Sequence, residues 1–486
     1  MAQEILNLEP KNIWKHFYSI TQIPHPSKKE AQIIEFMKKF GEDLGLETII
    51  DQVGNVIIRK PATAGMEDRK GIVMQGHLDM VPQANSDTPH DFEKDPIDAF
   101  IDGDWVTARG TTLGADNGMG VAAAMAVLED KTIEHGPVEA LFTIDEETGM
   151  TGAFGLQPGL LQGDILMNMD SEDEGELYVG CAGGEDANIK FPYNTVAVPE
   201  AHKAFKISVT GLKGGHSGMD IILGRGNANK IIFRFMKDNM LQNGLRLAGI
   251  DGGSLRNAIP REAFAIVTIP EVNVADVQAS LEGYAKVVKS ELAAVEPEFG
   301  MTIEATDMPA NLIDENVQAN LTDAIMACPN GVIRMSNSME GLVETSTNLA
   351  TVKSNGTEIA VGCLMRSSVN SARNQLGSRM ESLFRMAGAE VEFDGAYPGW
   401  KPNMDSPILK TMQDVYNNMY GKVPEIKAIH AGLECGLLGG VYPNWDMISF
   451  GPTIRFPHSP DEKVHIASVQ KFWDFIVETM KNVPKK

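Results

Sequence analysis

His77 and Asp79 stand two residues apart at the end of an apolar run, in G-H-L-D-M from Gly76 to Met80. A strand alternates its side chains with a period of two, so both groups point to one side and can share a site. An imidazole binds a divalent cation through one ring nitrogen, and a neighbouring carboxylate can fix which nitrogen that is. The H-x-D pair by itself does not specify a metal site. L-G-A-D-N-G, from Leu113 to Gly118, adds a carboxylate flanked by glycines at the start of an Ala-rich run, where Asp116 either caps a helix or serves as a ligand. I-D-E-E-T-G, from Ile144 to Gly149, sets three acids directly after an apolar run, a density of charge that solvent or cations must offset. N-M-D, from Asn168 to Asp170, ends another apolar run, and the acids from Glu172 to Glu174 read as a solvated loop. Far along the chain His458 lies between Pro457 and Pro460, a stiff loop that suits a surface turn or a fixed ligand.

These groups need elements that bring them together. Residues 71–180 alternate short apolar runs with glycine-punctuated loops, the pattern of strands and crossover helices around a parallel or mixed sheet. The predicted strands are 72–74, 139–144 and 165–169, and the predicted helix is 117–130, rich in Ala, Met and Val, with Asp116 at its N-cap. The first four signals then fall on the carboxyl ends of successive strands, the edge where open α/β sheets build their sites. One histidine and one or two carboxylates per ion, with a shared aspartate, suit divalent ions such as zinc, manganese or cobalt.

After Cys181 the texture changes. Residues 205–210 alternate like a half-exposed strand, 211–218 form a loop and 229–241 have a helical period. Strand and helix patterns recur at 357–364 and 370–387, and the acidic stretch 394–402, with its glycines and prolines, reads as a return linker. At 486 residues the chain exceeds what one core supports. The predicted fold is α/β: a catalytic domain with a mixed, mostly parallel sheet flanked by helices, formed by residues 1–186 and 399–486, and an inserted α+β lid domain at 187–398. The insert is long enough to contain two related halves.

A net charge of −24 repels phosphate backbones and anionic bilayers, so nucleic acid and membrane surfaces are not expected partners. The longest apolar stretches, such as 121–128, are too short to span a bilayer. Residues 1–10 carry Glu4 and Glu9 and no basic segment ahead of an apolar run, so no secretory signal is read and a cytoplasmic location is expected. Cys181, Cys328, Cys363 and Cys435 are scattered without a C-x-x-C pair, which predicts reduced, buried thiols and neither a disulfide framework nor a structural zinc site.

In this order and spacing, G-H-L-D-M-V-P, L-G-A-D-N-G, D-E-E-T-G and F-P-H-S-P-D-E resemble the zinc-dependent metallopeptidase family that contains carboxypeptidase G, aminoacylase, succinyl-diaminopimelate desuccinylase and several dipeptidases. The resemblance spans nearly the whole chain. It implies two divalent ions per subunit, zinc first, with cobalt or manganese as alternatives. By the same resemblance His77 and Asp170 hold one ion, Glu147 and His458 hold the other, and Asp116 bridges them. Asp79 then orients His77, and Glu146 is the general base that takes a proton from water and passes it to the leaving amine.

G-L-K-G-G-H-S-G, from Gly211 to Gly218, is similar to the opening loop of the family's lid, which makes His216 a candidate donor to the transition-state oxyanion. Asn257 in S-L-R-N-A-I-P, Arg366 in L-M-R-S-S and Gly432 in H-A-G-L-E-C-G resemble substrate-binding positions, and the planar fork of Arg366 suits a carboxylate. The insert is longer than the lid of carboxypeptidase-like members. That length favours dipeptides over acylated amino acids, and the resemblance adds those ending in histidine to the expected substrates. A tripeptidase or an N-acyl amino acid amidohydrolase of the same architecture is the alternative. A homodimer acting on short peptides completes the expectation.

Overall fold

The computed structural model describes residues 2–486; Met1, which belongs to the predicted catalytic domain and to the N-terminal segment read above, lies outside the described residues. The chain forms two compact units, one made of the residues up to Gly180 with Pro402–Ala428 and Leu433–Lys486, the other of Cys181–Lys401 with Ile429–Gly432.

The first unit is built on an eight-stranded sheet in the spatial order Glu47–Ile50, Val56–Lys60, Val138–Thr143, Ile72–His77, Ile165–Asn168, Asp446–Ser449, Glu176–Cys181 and Glu425–Ile429. The middle of the sheet is parallel, from Val138–Thr143 across to Asp446–Ser449, and the pairs flanking it are antiparallel. Ile72–His77 and Val138–Thr143 are buried at every position, as strands covered on both faces must be. Strand 72–74 of the prediction runs on to His77, because Gln75 and Gly76 continue the ladder into the motif.

The helix Ala115–Glu129 is buried along its length apart from Asp116 and Glu129. A helix apolar on all sides belongs in the interior, and small residues let this one approach the sheet closely. A Cβ on Gly120 would come within 2.6 Å of the Met169 carbonyl oxygen, and one on Gly76 within 2.2 Å of Asn117 Oδ1. Those two glycines bring the start of the helix against the strand ends that carry His77 and Asp170. Phe17 and Ile20, from the helix Lys11–Thr21, are also buried, and each contributes about 1.5–3 kcal/mol. Asp116 does not cap the helix as predicted. Gly114 stands at the N-cap, the backbone is extended at Asp116 (φ −86°, ψ 107°), and the Asp116 carboxylate faces His77 and His458. A separate four-stranded sheet, in the order Ile454–Arg455, Lys463–His465, Trp105–Ala108 and Ala99–Asp102, supports the loop that carries His458.

The second unit is a nine-stranded sheet whose main path runs Gly300–Ala305, His202–Thr210, Ala263–Pro270, Arg246–Gly252, Val343–Ser354, Glu358–Ser367, Gly183–Pro192 and Glu390–Tyr397, with Gly331–Met335 paired to Val343–Ser354. Its pairings are antiparallel. In chain order His202–Thr210 to Gly300–Ala305 reads β-α-β-β-α-β, with helices Ala228–Asn243 and Val274–Glu291. With Gly331–Met335 set aside as an extra strand, the remaining strands repeat that order with Glu315–Ala327 and Asn370–Met386, and the two halves join edge to edge where Asp251 pairs with Lys353. The stretch 394–402 is not simply a linker: the strand Glu390–Tyr397 includes its first residues and pairs with Gly183–Pro192. The alternation of Val391 and Phe393, both packed on the core, outweighs the glycine and proline that suggested a loop. The four cysteines are buried and form no disulfide. Among the described residues no helix is long and apolar enough to cross a membrane.

Candidate functional site

His77 ends its strand with the imidazole buried. Its Nδ1 lies 3.0 Å from the Asp79 carbonyl oxygen, which can only accept, so Nδ1 carries the proton. In the neutral ring Nε2 is then a lone pair, and it faces Asp116 Oδ1 at 3.2 Å and Asp170 Oδ1 at 3.3 Å. A lone pair against two carboxylate oxygens is repulsive unless a metal ion or a second ring proton lies between them. On the other side of Asp116, Oδ2 is 3.3 Å from His458 Nε2, which is also 2.9 Å from Glu147 Oε2. The two oxygens of one aspartate thus face two different imidazoles.

The donor set fits divalent ions. The ligand atoms of His77, Asp116 and Asp170 lie within 4.8 Å of one another, as do those of Asp116, Glu147 and His458. Two donors on one tetrahedral zinc sit roughly 3.3–3.5 Å apart, close to three of the four contacts above. Glu147 Oε1 and Asp170 Oδ1 are buried with no hydrogen-bond partner, an arrangement that costs free energy for a carboxylate unless a cation compensates it. The charges act on every proton in the cluster. Burial alone would depress the His77 pKa, but Asp170, Asp116 and Asp79 carry it well above the usual value. Asp116 and Glu147 raise His458 to about 11. Burial raises Asp170 well above the usual carboxylate range, while His458 and His77 outweigh burial at Asp116 and hold it well below.

Asp79, expected to orient His77, reaches other groups as well. Its Oδ1 is 3.3 Å from Nδ1, yet it also accepts the Glu146 N–H at 2.9 Å, and Oδ2 accepts the Glu147 N–H at 3.2 Å and the Ser27 hydroxyl at 2.8 Å. The carboxylate therefore fixes the turn that aims the two glutamates apart. Glu147 turns to His458. The Glu146 carboxylate makes no hydrogen bond or ion pair among the described residues. Burial, with Glu434, Glu147 and Asp116 nearby, outweighs His77 and pushes its carboxyl up to about 8.

The other four predicted residues gather within the second unit. His216 Nδ1 accepts the backbone N–H groups of Gly218 and Met219 at 3.2 and 3.0 Å, so the neutral ring carries its proton on Nε2. Burial, with Arg366 nearby, lowers the His216 pKa and keeps that ring neutral. Ser217 donates its N–H to the Asn257 carbonyl at 2.8 Å, which ties the His216 loop to the Asn257 loop. Arg366 is buried, with Nε 3.3 Å from Ser217 Oγ and Nη1 3.2 Å from Tyr397 Oη. Gly432 faces the same ring: a Cβ there would meet Tyr397 at 3.2 Å. The Asn257 side chain is exposed, and only its backbone is engaged.

Sequence reasoning missed several of these groups. Ser27 carried no motif. Glu434 is fully buried, hydrogen-bonded to Gln75 at 2.6 Å and Thr143 at 2.9 Å, and Glu462 is buried beneath Asp116; their only signals were places in the motifs that drew notice for Gly432 and His458. Tyr397 was hidden by its reading as linker.

The model of peptidase family M20/M25/M40 matches residues 73–482. The chain is 47% identical, over 99% of its length and 100% of the relative's, to the cytosol non-specific dipeptidase of Escherichia coli strain K12. The crystal structure of aminoacylhistidine dipeptidase from Vibrio alginolyticus superposes with a TM-score of 0.95, at 50% identity and complete coverage of both chains. That of aminopeptidase PepT from Bacillus cereus superposes with a TM-score of 0.58 at 16% identity, over 98% of this chain and 99% of the other, a likeness of fold alone.

Proposed function

The chain belongs to peptidase family M20/M25/M40, a metallopeptidase family, and from that membership we propose that it hydrolyses dipeptides of broad composition, including those ending in histidine, with two divalent ions in the first unit. One observation carries the metal reading. Asp116 presents one oxygen to His77 and the other to His458, and that is the bridging geometry a pair of ions requires. His77 and Asp170 hold one ion, Glu147 and His458 the second. Imidazole and carboxylate donors without thiolate favour zinc, with cobalt or manganese as substitutes. When bound, such a pair acidifies a water and polarises the peptide carbonyl.

The chain's own groups do the rest. Glu146, unpaired and held by Asp79 through its backbone, takes the water's proton and returns it to the departing amine. A carboxyl whose proton affinity lies near neutrality is suited to both halves of that transfer. His216, with Nδ1 occupied by backbone donors, offers Nε2–H to the developing oxyanion. Arg366 receives the substrate's free carboxylate. It is a buried guanidinium with no carboxylate within ion-pair distance among the described residues, and a lone buried cation calls for an anionic ligand. Asn257 and Gly432 contact the peptide backbone.

The second unit acts as the lid, and fixing the carboxylate terminus limits substrate length. Identity of 47–50% over whole chains with two dipeptidases supports dipeptides over longer or acylated substrates. We place the enzyme in the cytosol as a homodimer, the first on the name of the Escherichia coli relative. Rates on dipeptides, tripeptides and N-acyl amino acids test the substrate assignment. The expected order puts dipeptides first, and a preference for tripeptides or acylated amino acids overturns it.

A further inference from the structure

We propose that Glu462 is a positioning residue of the metal centre, the side chain that holds the His458 loop against the Asp116 loop. The proposal rests on the two-ion reading above. His458 sits in the loop 456–462, between Ile454–Arg455 and Lys463–His465. Phe456 and His458 hold positive φ values of 56° and 59°. A residue with a Cβ keeps such a conformation only where its surroundings impose it. Packing does not impose it at His458, whose side chain is 51% exposed.

Glu462, four residues on, supplies the constraint. Its carboxylate is buried and collects four backbone N–H groups: Oε2 from Leu113 at 2.8 Å and Gly114 at 3.0 Å, Oε1 from Ala115 at 2.7 Å and Asp116 at 3.2 Å. The Glu462 backbone is held as well, its carbonyl accepting the Thr107 hydroxyl at 2.8 Å and its N–H reaching Ser459 at 2.9 Å. The N–H groups that open the helix Ala115–Glu129 have no partners within the helix, and an anion there is favoured by its dipole. A local Ser or Asp would satisfy such a helix start without joining it to anything else. Taking the acceptor from the His458 loop makes the bridging aspartate and the exposed histidine parts of one body.

The two ligand groups then depend on Glu462 to different degrees. His77 ends a strand of the sheet and Asp170 follows another by two residues, so the strand ladder positions both. His458 has no ladder of its own. Loosening the tether therefore weakens the Asp116–Glu147–His458 group more than the His77–Asp116–Asp170 group.

Glu462→Gln keeps the volume but turns an amide N–H₂ toward two of the four donors, whereas Glu462→Asp keeps the charge and shortens the reach. Zinc is titrated calorimetrically into the metal-free full chain of each, with thermal melting of the same metal-free samples. Wild type takes up two equivalents. In Glu462→Gln one step weakens by about 10–100-fold while the other moves by less than about threefold, and Glu462→Asp falls between. Two steps weakened equally alongside a lower melting temperature make Glu462 a helix cap only and overturn the proposal, as do two unchanged steps. Should the Gln variant not fold, the Asp variant carries the same comparison. A wild-type chain that takes up fewer than two equivalents overturns the metal reading itself.

Discussion

Replacing Arg366 by Met separates a binding cation from a structural one. The guanidinium is 5% exposed and its two located partners, the Ser217 and Tyr397 hydroxyls, are neutral. An uncompensated buried charge costs several kcal/mol, so in the free protein Arg366 is a liability that a linear apolar side chain removes. A substrate carboxylate offsets that liability through two charge-assisted hydrogen bonds, each contributing about 1.5–3 kcal/mol. Their loss lowers kcat/KM by about 10²–10⁴-fold. The assay compares Arg366→Met with wild type on a dipeptide and on its C-terminal amide, with melting temperatures measured without substrate. The dipeptide reaction falls by that factor, the amide reaction stays within about threefold, and the melting temperature holds or rises. Equal losses on both substrates, or a marked fall in melting temperature, would refute the assignment of Arg366 to the carboxylate.

Glu146→Ala keeps both metal equivalents, measured by elemental analysis, while kcat drops by about 10²-fold or more; loss of metal with an unchanged residual rate contradicts the base role. His216→Ala lowers kcat by about 10²–10³-fold with little change in KM, and a change confined to KM removes it from the oxyanion. Stability responds to pH through His16, which burial pushes down to about 4 even though its Nε2 lies 2.9 Å from Glu129. The unfolded chain, with an ordinary imidazole near 6.5, binds the proton that the folded chain refuses. Stability present above pH 6.5 is therefore lost as pH falls through about 4, by up to about 3 kcal/mol, and His16→Gln flattens urea midpoints across that window.

The candidate ligands His77 and Asp170 were legible because their carriers are apolar strands ending in polar motifs: Ile72–His77 stops on His77, and Ile165–Asn168 stops two residues before Asp170. Period and burial make such ends visible in one dimension. The partnerships among them were not. Nothing in the sequence told that Asp79 would reach the backbone of Glu146 and Glu147, or that Glu462 would reach Leu113–Asp116, since both contacts join segments far apart in the chain. Asp116 read equally well as a helix cap, and what separates the two readings is its carboxylate, whose oxygens face His77 and His458. In the second unit Gly395 lies at a register shift within the strand Glu390–Tyr397 and Pro398 follows its end, which hid Tyr397 beside Arg366. The repeated β-α-β-β-α-β order was equally hidden, because one half is inserted between the first strand and first helix of the other.

The central claim is that two ions share Asp116 and that hydrolysis needs both. Zinc added stepwise to the metal-free chain, with dipeptide hydrolysis followed at each addition, tests it most directly. The account predicts activity that rises to its maximum at two equivalents per chain and is abolished by chelation. Full activity at one equivalent, or hydrolysis that persists in the metal-free chain, would contradict it.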